Sequence, residues 1–388
     1  MKIILYEWEA YGEQGLHRGL ESMGFNVSTY KRKIKNHLAD NEFLTELTLM
    51  IVNNTMDAVI SFNYFPLIAM ACKAAKVKYL SWIFSEPHFS LYSDTVFFDS
   101  NYIFCFDHVQ MEKLKAYGVT HAYHQSLAVD TELFEESIYN EKNKSTDEIS
   151  FVGTLYTDER DYFSQIPFLP AYIKGYVEGI CEAQMKVYGY NMLPDVLPRD
   201  ILDQMKEYIS FHMDAGYFLP FEQFIMDIIN KKITIMERSR ILKDLSENFH
   251  TTIYTGSDTG HLSKLSNGGY VHYYKQMPKI FHNSKINLNI TLRSITSGIP
   301  LRVLDVLGCG GFLLTNYQPE IAEAFENGKE LVMYESKEQL RELCYYYLSH
   351  EEERLEIAAN GNKKVKEEFN YQKTLSKIAR IIRGGCEA

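Results

Sequence analysis

The chain has 388 residues, which is enough for two domains at roughly 100 to 200 residues each. Its 40 Lys and Arg residues against 51 Asp and Glu give a formal net charge of −11, which argues against broad binding to nucleic acids or anionic membranes, because those partners require a basic surface. The 28 Tyr and 23 Phe residues place much of the apolar mass in aromatic rings, many of which carry a hydroxyl group.

The cysteines and the N-terminus indicate the compartment. Six cysteines are scattered without a C-x-x-C pair, which argues against a disulfide framework or a zinc ribbon and favours reduced thiols. The chain reaches Glu7 too early for the apolar core of a signal peptide, and no apolar run approaches the roughly 18 residues of a membrane span. We therefore expect a cytoplasmic protein without an integral membrane segment.

The first third of the chain alternates short apolar runs with amphipathic stretches, which is typical of parallel strands joined by crossover helices. Residues 1–130 are therefore predicted to form a Rossmann-like domain. Its strands are predicted at 3–8, 26–29, 57–62, 78–82, 102–106 and 122–125. Residues 131–148 are polar and charged without a clear period, which predicts a domain linker.

Residues 149–370 are predicted to form a second α/β domain, because a strand restarts at 149 and runs into Gly153. Between about 158 and 248 helical spacing replaces the strand signal, which predicts an all-helical insertion. Further strands are predicted at 252–255, 271–273, 286–290, 312–315 and 330–333. A last helix is predicted over 371–383. The predicted architecture is two Rossmann-like domains facing each other across a cleft, with ligands at the carboxyl ends of the strands.

Several common signatures are absent from the sequence, which narrows the function. There is no P-loop, no G-x-G-x-x-G, no H-E-x-x-H and no Asp-x-Asp pair. We therefore expect no metal ion and no resident cofactor at the site.

The densest candidate site lies between residues 287 and 315, where a strand is followed by a loop and then by Pro300 at the start of a helix. A helix N-terminus presents N–H groups and a positive dipole end to an anion. Arg302 and Asp305 lie three residues apart on one helix face, and with Arg293 they are expected to grip a diphosphate while the carboxylate takes ribose hydroxyls. The rest of this helix is apolar, which predicts that the helix is buried. A surface ion pair therefore does not explain its two charged residues, and a ligand contact is expected.

Other loops at the ends of predicted strands are candidates for the same ligand. In the second domain the candidate donor contacts are Gly153, Tyr156, Gly256, Ser257, Ser297, Gly298 and Tyr274, the last by stacking on a base. A plain turn explains the glycine-containing loops equally well, and a pair of adjacent tyrosines in a strand commonly has one ring in the core.

The first domain contributes loops of its own. Gly12 and Gly15 are expected to bring backbone N–H groups close to the donor phosphates. Glu86 or His88 is the candidate general base for the acceptor hydroxyl, and Asn63 is a candidate for binding. A solvated loop side chain is the alternative explanation for each of the last three.

Three segments carry a family resemblance in the second half: S-K-I-N-L-N-I-T-L-R-S-I at 284–295, G-I-P-L-R-V-L-D-V-L-G-C-G-G-F-L-L-T-N-Y at 298–317 and Y-E-S at 334–336. The chain from residue 281 onward resembles the C-terminal domain of the CgeB-type (spore-maturation) glycosyltransferases, a branch of the GT-B superfamily. The first half resembles the front domain of the same family through the segments S-F-N-Y-F-P at 61–66, Y-L-S-W at 79–82 and F-V-G-T-L-Y at 151–156.

The resemblance implies a GT-B fold, with a nucleotide-sugar donor held mainly by the second domain and an acceptor met by the first. It also implies that residues 371–388 cross back onto the first domain. In related enzymes two glutamates lie eight residues apart in the loop and helix described above, the second contacting the donor ribose. Here these positions hold Ser297 and Asp305, so the chain departs from the pattern at both, with an aspartate one methylene shorter at the second. Because the first glutamate is missing, the identity of the sugar does not follow from the resemblance.

The sequence thus predicts a metal-independent, hexosyltransferase-like GT-B enzyme that moves a sugar from a nucleoside diphosphate donor, expected to be UDP-linked, to a hydroxyl group of a protein or glycan. Arg302 and backbone N–H groups are expected to neutralise the departing diphosphate. Two alternatives stay open: a nucleotide-sugar epimerase of GT-B fold, and a non-catalytic sugar-nucleotide or glycan-binding scaffold, which Ser297 makes plausible.

Overall fold

The computed structural model describes residues 1–37, 39–139, 147–157, 162–164, 166 and 168–385. The chain divides into two compact units. Unit 1 comprises Met1–Asp130, Met213–Leu219 and, as far as the chain is described, Glu367–Ala388. Unit 2 comprises Thr131–His212 and Pro220–Lys366, again as far as described.

Unit 1 is built on a parallel sheet with six strands in the described residues. The strands are β1 (Lys2–Tyr6), β2 (Asn26–Tyr30), β3 (Ala58–Phe62), β4 (Lys78–Ile83), β5 (Asn101–Cys105) and β6 (Ala122–His124). Their spatial order is β2-β1-β3-β4-β5-β6. Every residue of β3 is buried, as is nearly all of β4, which explains why both segments are mostly apolar and do not alternate with charged residues.

Helices of unit 1 cover this sheet. They are α1 (Glu13–Ser22), α2 (Asn41–Asn53), α3 (Pro66–Ala75) and α4 (His108–Ala116), with 3₁₀ turns at Phe89–Tyr92 and Asp94–Phe97. The helices α2 and α4 begin at aspartate caps, because Asp40 accepts a hydrogen bond from the backbone N–H of Phe43 and Asp107 accepts one from Gln110. The core between α2 and the sheet is rich in rings that meet edge to face, as Tyr6 does with Phe43 at 5.6 Å between centroids.

Unit 2 contains a second parallel sheet, also with six strands in the described part. The strands are β7 (Ile149–Val152), β8 (Thr251–Tyr254), β9 (Ser266–Asn267), β10 (Ile286–Asn289), β11 (Leu313–Asn316) and β12 (Val332–Tyr334). The spatial order is β12-β11-β10-β7-β8-β9, so the strand order reverses between β7 and β10. In open α/β sheets, the crevice at the carboxyl ends of the two strands flanking such a reversal is the usual ligand site.

The helices of unit 2 include the predicted insertion. They are α5 (Thr131–Tyr139), α6 (Ala171–Gln184), α7 (Leu193–Val196), α8 (Arg199–Lys206), α9 (Phe221–Asn248), α10 (Met277–Asn283), α11 (Leu301–Gly308), α12 (Pro319–Ala324), α13 (Lys337–Ser349) and α14 (Glu351–Glu368). Between β7 and β8 the chain folds as α6 to α9, and these helices share an apolar core of their own that includes Ile173, Val177, Met205 and Ile229.

Three predictions about the course of the chain were wrong. Residues 131–139, predicted as part of a linker, form the helix α5, because Phe134 packs against Tyr273 in unit 2. Residues 140–146 of that linker lie outside the described residues. Residues 271–273 form no strand, and β9 is the outer strand instead. Residues 213–219, predicted within the insertion, belong to unit 1, where Phe218 donates a backbone hydrogen bond to Tyr92.

The C-terminal segment packs within unit 1. It forms α15 (Tyr371–Thr374) and α16 (Ser376–Ile382). The helix α15 lies against α1, and the Nζ of Lys78 donates to the backbone oxygen of Ile381 at 2.5 Å. The helices α15 and α16 therefore pack on α1 and β4 of unit 1.

Candidate functional site

Arg238 occupies the carboxyl ends of the two strands between which the strand order of unit 2 reverses. Its Nε and Nη2 donate to the backbone oxygen of Ile290, just after β10, at 3.2 and 2.6 Å, and its Nη1 donates to that of Thr154, just after β7, at 2.6 Å. The residue is 8% exposed. Among the described residues, no carboxylate lies at ion-pair distance from Arg238, although the charge of Glu237 is close enough to raise the pKa of Arg238. The helix α9 therefore carries a buried positive charge into the switch-point crevice.

Arg302 lies in the first turn of α11, and its guanidinium is held from three directions. Its Nη1 donates to Oδ2 of Asp305 at 3.3 Å and also contacts the sulfur of Met277. The Cζ atom lies over the ring of Phe281 at 5.2 Å from the centroid. With 27% of its side chain exposed, Arg302 remains accessible to a ligand.

Arg238 and Arg302 influence each other electrostatically. Burial lowers the pKa of the Arg238 guanidinium, and the positive charge of Arg302 lowers it further, while Tyr156 and Glu237 act in the opposite direction. Both side chains stay protonated, because arginine does not lose its proton in proteins. Two interacting like charges, one of them buried, are stabilised by an anion bound between or beside them.

Tyr156 completes this cluster on the β7 side. Its φ of 58° places it in the left-handed region, and its ring has Lys231 at 4.0 Å and Arg238 at 5.3 Å from its centroid. Arg238 also lies close to Gly153, because a Cβ added to Gly153 would lie 3.9 Å from Nη1 of Arg238. The predicted loop 153–156 is thus at the carboxyl end of β7 beside two cationic side chains.

Asp305 is almost fully buried and its two oxygens are both occupied by side chains. Oδ1 accepts from the hydroxyl of Tyr273 at 2.6 Å, and Oδ2 accepts from Arg302. Burial raises the pKa of this carboxyl to about 6, although Arg302 and the Tyr273 hydroxyl act to lower it. In this structure Asp305 holds Arg302 and Tyr273 in place, and neither of its oxygens faces solvent as ribose binding would require.

Arg293 is not brought to Arg302 as a second diphosphate ligand. Its Nε and Nη2 donate to the two oxygens of Glu237 at 2.7 and 2.6 Å, and its Nη1 donates to the backbone oxygen of Val187 at 2.7 Å. The guanidinium also lies over the ring of Tyr188 at 4.6 Å. Burial acts to lower the pKa of Arg293, but the charge and hydrogen bonds of Glu237 outweigh it and raise the pKa. All its nitrogens are therefore used in tying the loop after β10 to α9 and the insertion.

Ser297 and Gly298 lie in the same loop, and both are buried. The Ser297 hydroxyl donates to Oε1 of Glu320 at 2.6 Å, and the Glu320 backbone N–H donates to the Ser297 oxygen at 3.1 Å. Glu320 lies in the first turn of α12, where the positive helix end favours a carboxylate. A carboxylate from another element thus stands beside the position where the resemblance implies a glutamate.

The remaining candidates of unit 2 lie at the exits of β7 and β8. The hydroxyl of Ser257 accepts from the backbone N–H of Leu155 and pairs with the hydroxyl of Thr154, both at 3.0 Å, which joins the two exit loops. Gly256 has open space where a Cβ would lie. Tyr274 is half-buried with its ring edge-on to Tyr273, and it is Tyr273 that reaches Asp305.

In unit 1, packing accounts for the small size of Gly12 and Gly15. A Cβ on Gly12, whose φ is 91°, would lie 2.4 Å from the hydroxyl oxygen of Tyr371, and one on Gly15 would lie 2.2 Å from the same ring. The Tyr371 hydroxyl donates to the backbone oxygen of Gly12 at 3.0 Å. The two glycines allow α15 to approach α1, which requires no phosphate.

The polar candidates after β3 and β4 of unit 1 are bonded to each other and to backbone. Nε2 of His88 accepts from the backbone N–H of Tyr64 at 3.0 Å, and burial lowers the pKa of this imidazole to about 4. Asn63, at a φ of 59°, donates to the hydroxyl of Ser85 and accepts from the N–H of Phe84. Glu86 accepts a hydrogen bond from the side chain of Gln110. Nε2 of His88 also lies 3.0 Å from the backbone oxygen of Tyr64, so the Tyr64 backbone engages this nitrogen in either tautomer, and the lowered pKa makes the imidazole a weak base.

In the part of the chain that the structure describes, no group of three or more His, Cys, Asp or Glu side chains has the arrangement of a metal site. No helix in the described part of the chain is long and apolar enough to cross a membrane.

Sequence reasoning missed Arg238 and Glu237, and it considered Tyr273 only beside Tyr274 as a ring that stacks on a base, without its bond to Asp305. The signal for the first two is the helix period of α9, where polar Gln223, Asp227, Asn230, Thr234 and Glu237 recur on a buried face. When polar residues recur at helix spacing on the buried face of a helix, the surface that packs against that face is expected to be polar as well. Here that surface is the set of loops after β7, β10 and β11.

The fold and this crevice define the chain as a protein of GT-B architecture, with two parallel α/β sheets of six strands each in the described residues. Residues 238–380 match a family model described as glycosyl transferase-like. A search of curated proteins found no match.

Several solved structures share this fold over 99% of the chain. Sucrose-phosphate synthase from Thermosynechococcus elongatus is 8% identical with a TM-score of 0.57, covering 99% of this chain and 98% of that one. HepE of Anabaena in complex with UDP-glucose is 9% identical with a TM-score of 0.53, covering 99% and 100%. An α,α-trehalose-phosphate synthase (UDP-forming) from Burkholderia vietnamiensis is 10% identical with a TM-score of 0.54, covering 99% of each chain.

Proposed function

We propose that this chain is a CgeB-type glycosyltransferase that moves a sugar from a nucleoside diphosphate donor to a hydroxyl group of a protein or glycan, without a metal ion or resident cofactor. The observation that carries the proposal is the pair Arg238 and Arg302, two interacting cations at the switch-point crevice of a GT-B unit. The glycosyl transferase-like match over residues 238–380 supports the reaction class. The segments 284–295 and 298–317 support the CgeB-type assignment.

In the proposed reaction, this site neutralises the negative charge that develops on the departing diphosphate. As the bond between the sugar carbon and the diphosphate oxygen breaks, the diphosphate gains negative charge, and the acceptor hydroxyl bonds to the sugar carbon and loses its proton. Arg302 stabilises the departing oxygens directly, while Arg238 supplies a fixed positive charge behind them in a buried setting where charge acts strongly. A metal ion would be redundant beside two arginines.

Asp305 has a different role in this proposal from the ribose contact implied by the resemblance. Its carboxylate fixes Arg302 and accepts from Tyr273, so it positions the guanidinium that meets the diphosphate. Glu86 is the proposed base for the acceptor proton, since its carboxylate is the remaining candidate once the Nε2 of His88 is engaged by Tyr64.

UDP-sugars are the first donors to test, because the related fold of HepE was solved with UDP-glucose. A cytoplasmic setting is proposed as well, supported by five described cysteines that are all buried and unpaired.

The test is release of free nucleoside diphosphate from a panel of nucleotide sugars. We expect slow release by the wild type with at least one donor, and at least a tenfold loss in Arg302→Ala, because charge-assisted hydrogen bonds contribute about 1.5–3 kcal/mol each. Arg341→Ala is the matched control, since that arginine pairs with Asp244 on α9. Full activity in Arg302→Ala would refute the site, and saturable donor binding without turnover would favour the scaffold alternative.

A further inference from the structure

The helix α16 carries cationic side chains across the edge of the sheet of unit 1. The backbone oxygen of Ile381 accepts a hydrogen bond from Nζ of Lys78 on β4 at 2.5 Å. Nζ of Lys377 lies over the ring of Tyr123 on β6, 4.9 Å from the ring centroid. Because β4, β5 and β6 are neighbours in the sheet, α16 lies across all three strands. Both ends of this helix are therefore fixed to the sheet.

Lys377 has two cations as its charged neighbours. Arg380 lies one turn further along α16, and Lys115 lies in the last turn of α4. Burial lowers the pKa of the Lys377 ammonium, and the positive charges of Lys115 and Arg380 lower it further. Among the described residues, neither Lys377 nor Arg380 has a carboxylate at ion-pair distance. Three cations thus meet on the surface of a chain whose formal net charge is −11.

Ordinary surface roles explain the two outer cations but not Lys377. Lys115 and Arg380 lie in the last turns of their helices, where the negative end of the helix dipole favours a cation. Lys115 also pairs with Glu112 at 3.5 Å, but both side chains are about half exposed and such pairs contribute little. Lys377 lies in the first turn of α16, where a cation gains nothing from the dipole. A partly buried ammonium with two like charges beside it is stabilised by a bound anion.

The ring beneath Lys377 is itself held by other rings. The hydroxyl of Tyr123 lies 3.3 Å from Nδ1 of His121, and the imidazole of His121 stacks on Tyr102 at 4.6 Å between centroids. The ring of Tyr123 also stacks on Phe104 at 5.4 Å. A cation–π contact with a fixed ring holds the ammonium in place and leaves its N–H donors available to a ligand. A preformed cation of this kind lowers the entropic cost of binding.

The number and type of these cations favour a phosphate group as the ligand. A carboxylate brings one negative charge, whereas a phosphate monoester brings about −1.5 to −2 at pH 7 together with three acceptor oxygens. Ammonium and guanidinium groups are the side chains that bind phosphate in proteins. The formal net charge of −11 opposes binding to a broad anionic surface, so a soluble phosphorylated molecule is expected ahead of a lipid headgroup.

We propose that Lys377, Arg380 and Lys115 form a binding site for a phosphate group on unit 1. The helix α4 begins beyond the carboxyl end of β5 and runs back along the sheet, so its last turn lies towards the amino ends of the strands. The site is therefore away from the candidate loops at the carboxyl edge of unit 1, and it lies on a different unit from Arg302. It does not depend on the proposed transferase activity.

Two measurements on the whole chain test this site. The first is the pKa of the Lys377 ammonium, read by NMR from its ε-methylene signal in rising concentrations of inorganic phosphate, with Lys377→Met to assign the signal. The second is binding, measured by calorimetry with inorganic phosphate and by sedimentation with vesicles of phosphatidylcholine, with and without phosphatidylglycerol. The vesicles distinguish a lipid headgroup from a soluble phosphate.

The variants separate this site from other cations of the chain. Lys377→Met keeps an apolar side chain over Tyr123 and removes the central charge. Lys73→Met is the matched control, because Lys73 is also a lysine of unit 1 that lies over a ring, 3.6 Å from the centroid of Phe98. Both substitutions change the net charge equally. All binding is measured in an Arg302→Ala background as well, so that phosphate bound at the crevice of unit 2 is not counted here.

We expect inorganic phosphate to raise the pKa of Lys377 towards its ordinary value, because a bound anion favours the charged form. Lys377→Met should weaken the phosphate binding that remains in Arg302→Ala at least tenfold, while Lys73→Met leaves it unchanged. Dependence on Lys377 in the phosphate titration assigns the site to a soluble ligand, and dependence only in the phosphatidylglycerol vesicles assigns it to a headgroup. If neither probe depends on Lys377, the three cations form a solvated surface and the proposal is overturned.

Discussion

The carboxyl ends of the two sheets differ in how their polar groups are used. In unit 1, the loops after β3 and β4 satisfy one another, with Asn63 bonded to Ser85 and His88 bonded to Tyr64. In unit 2, the corresponding loops surround Arg238, a buried cation whose nitrogens bond to backbone oxygens. The difference shows that similar sheets can end in an edge whose polar side chains bond to one another or in one that holds a buried cation. The charged edge is the one that needs an anion.

The largest expected effect concerns the ion pair that supports the charged edge. Glu237→Gln leaves Arg293 buried without a compensating charge, and breaking such a pair costs about 3–5 kcal/mol. The free energy of unfolding of this variant, measured by urea titration, should fall by that amount.

Glu182→Gln is the matched control for this comparison. Its partner Arg240 also lies on α9, but both side chains of that pair are nearly half exposed. Exposed pairs contribute about 0–1 kcal/mol, so this variant should remain close to the wild type. Equal effects of the two substitutions would contradict the buried role of Glu237.

Asp305 should make unit 2 less stable as the pH rises. The pKa of Asp305 is raised from 3.8 to about 6 in the folded protein. The carboxyl therefore contributes fully to the free energy of unfolding below about pH 4, and this contribution is lost as the pH rises through 6. A shift of about two units corresponds to about 3 kcal/mol. The stability of Asp305→Asn relative to the wild type should therefore increase by up to that amount between pH 4 and pH 7. A difference that is constant over this range would show that Asp305 has an ordinary pKa.

His88 should give unit 1 the opposite pH dependence. The pKa of His88 is lowered from 6.5 to about 4 in the folded protein. The imidazole therefore contributes to the free energy of unfolding above pH 6.5, and this contribution is lost as the pH falls through 4. The stability advantage of the wild type over His88→Gln should shrink on acidification. NMR titration of the imidazole should give a midpoint near pH 4, and a midpoint near 6.5 would mean that the ring is solvated.

A smaller effect tests the packing explanation of the glycines in unit 1. Gly15→Ala forces the ring of Tyr371 to move, which costs about 1–3 kcal/mol by overpacking. Gly175→Ala on α6 meets no atom within 4 Å and should stabilise that helix by about 0.5–1 kcal/mol. Thermal unfolding of the two variants gives the comparison, and a neutral Gly15→Ala would leave the phosphate-loop prediction standing.

Much of the fold was predictable because its signals are local. The mostly apolar segment of β3 and the helix spacing of α9 each lie within one stretch of the chain, and all the strands except β9 were predicted from local signals of this kind. The helix α5 was missed because three of its nine residues are glutamates in a segment that is otherwise polar and charged, whereas its Phe134 packs against Tyr273, which is distant in sequence.

The contact between Arg302 and Asp305 was predictable, but the partners of Arg293 and Gly12 were not. The spacing of Arg302 and Asp305 gives their contact, since residues three apart meet on a helix. The bonds of Arg293 to Glu237 and of Gly12 to Tyr371 join residues far apart in the chain, so no local pattern specifies them. Tertiary contacts of this kind turned two predicted ligand contacts into structural ones.

A calorimetric titration of UDP tests the central claim most directly, namely that the anion site lies at Arg302 in unit 2. The wild type, Arg302→Ala and the unit 1 variant Gly15→Ala would be titrated under identical conditions. We predict at least tenfold weaker binding for Arg302→Ala and unchanged affinity for Gly15→Ala. Unchanged binding in Arg302→Ala together with loss of binding in a folded Gly15→Ala would contradict the account.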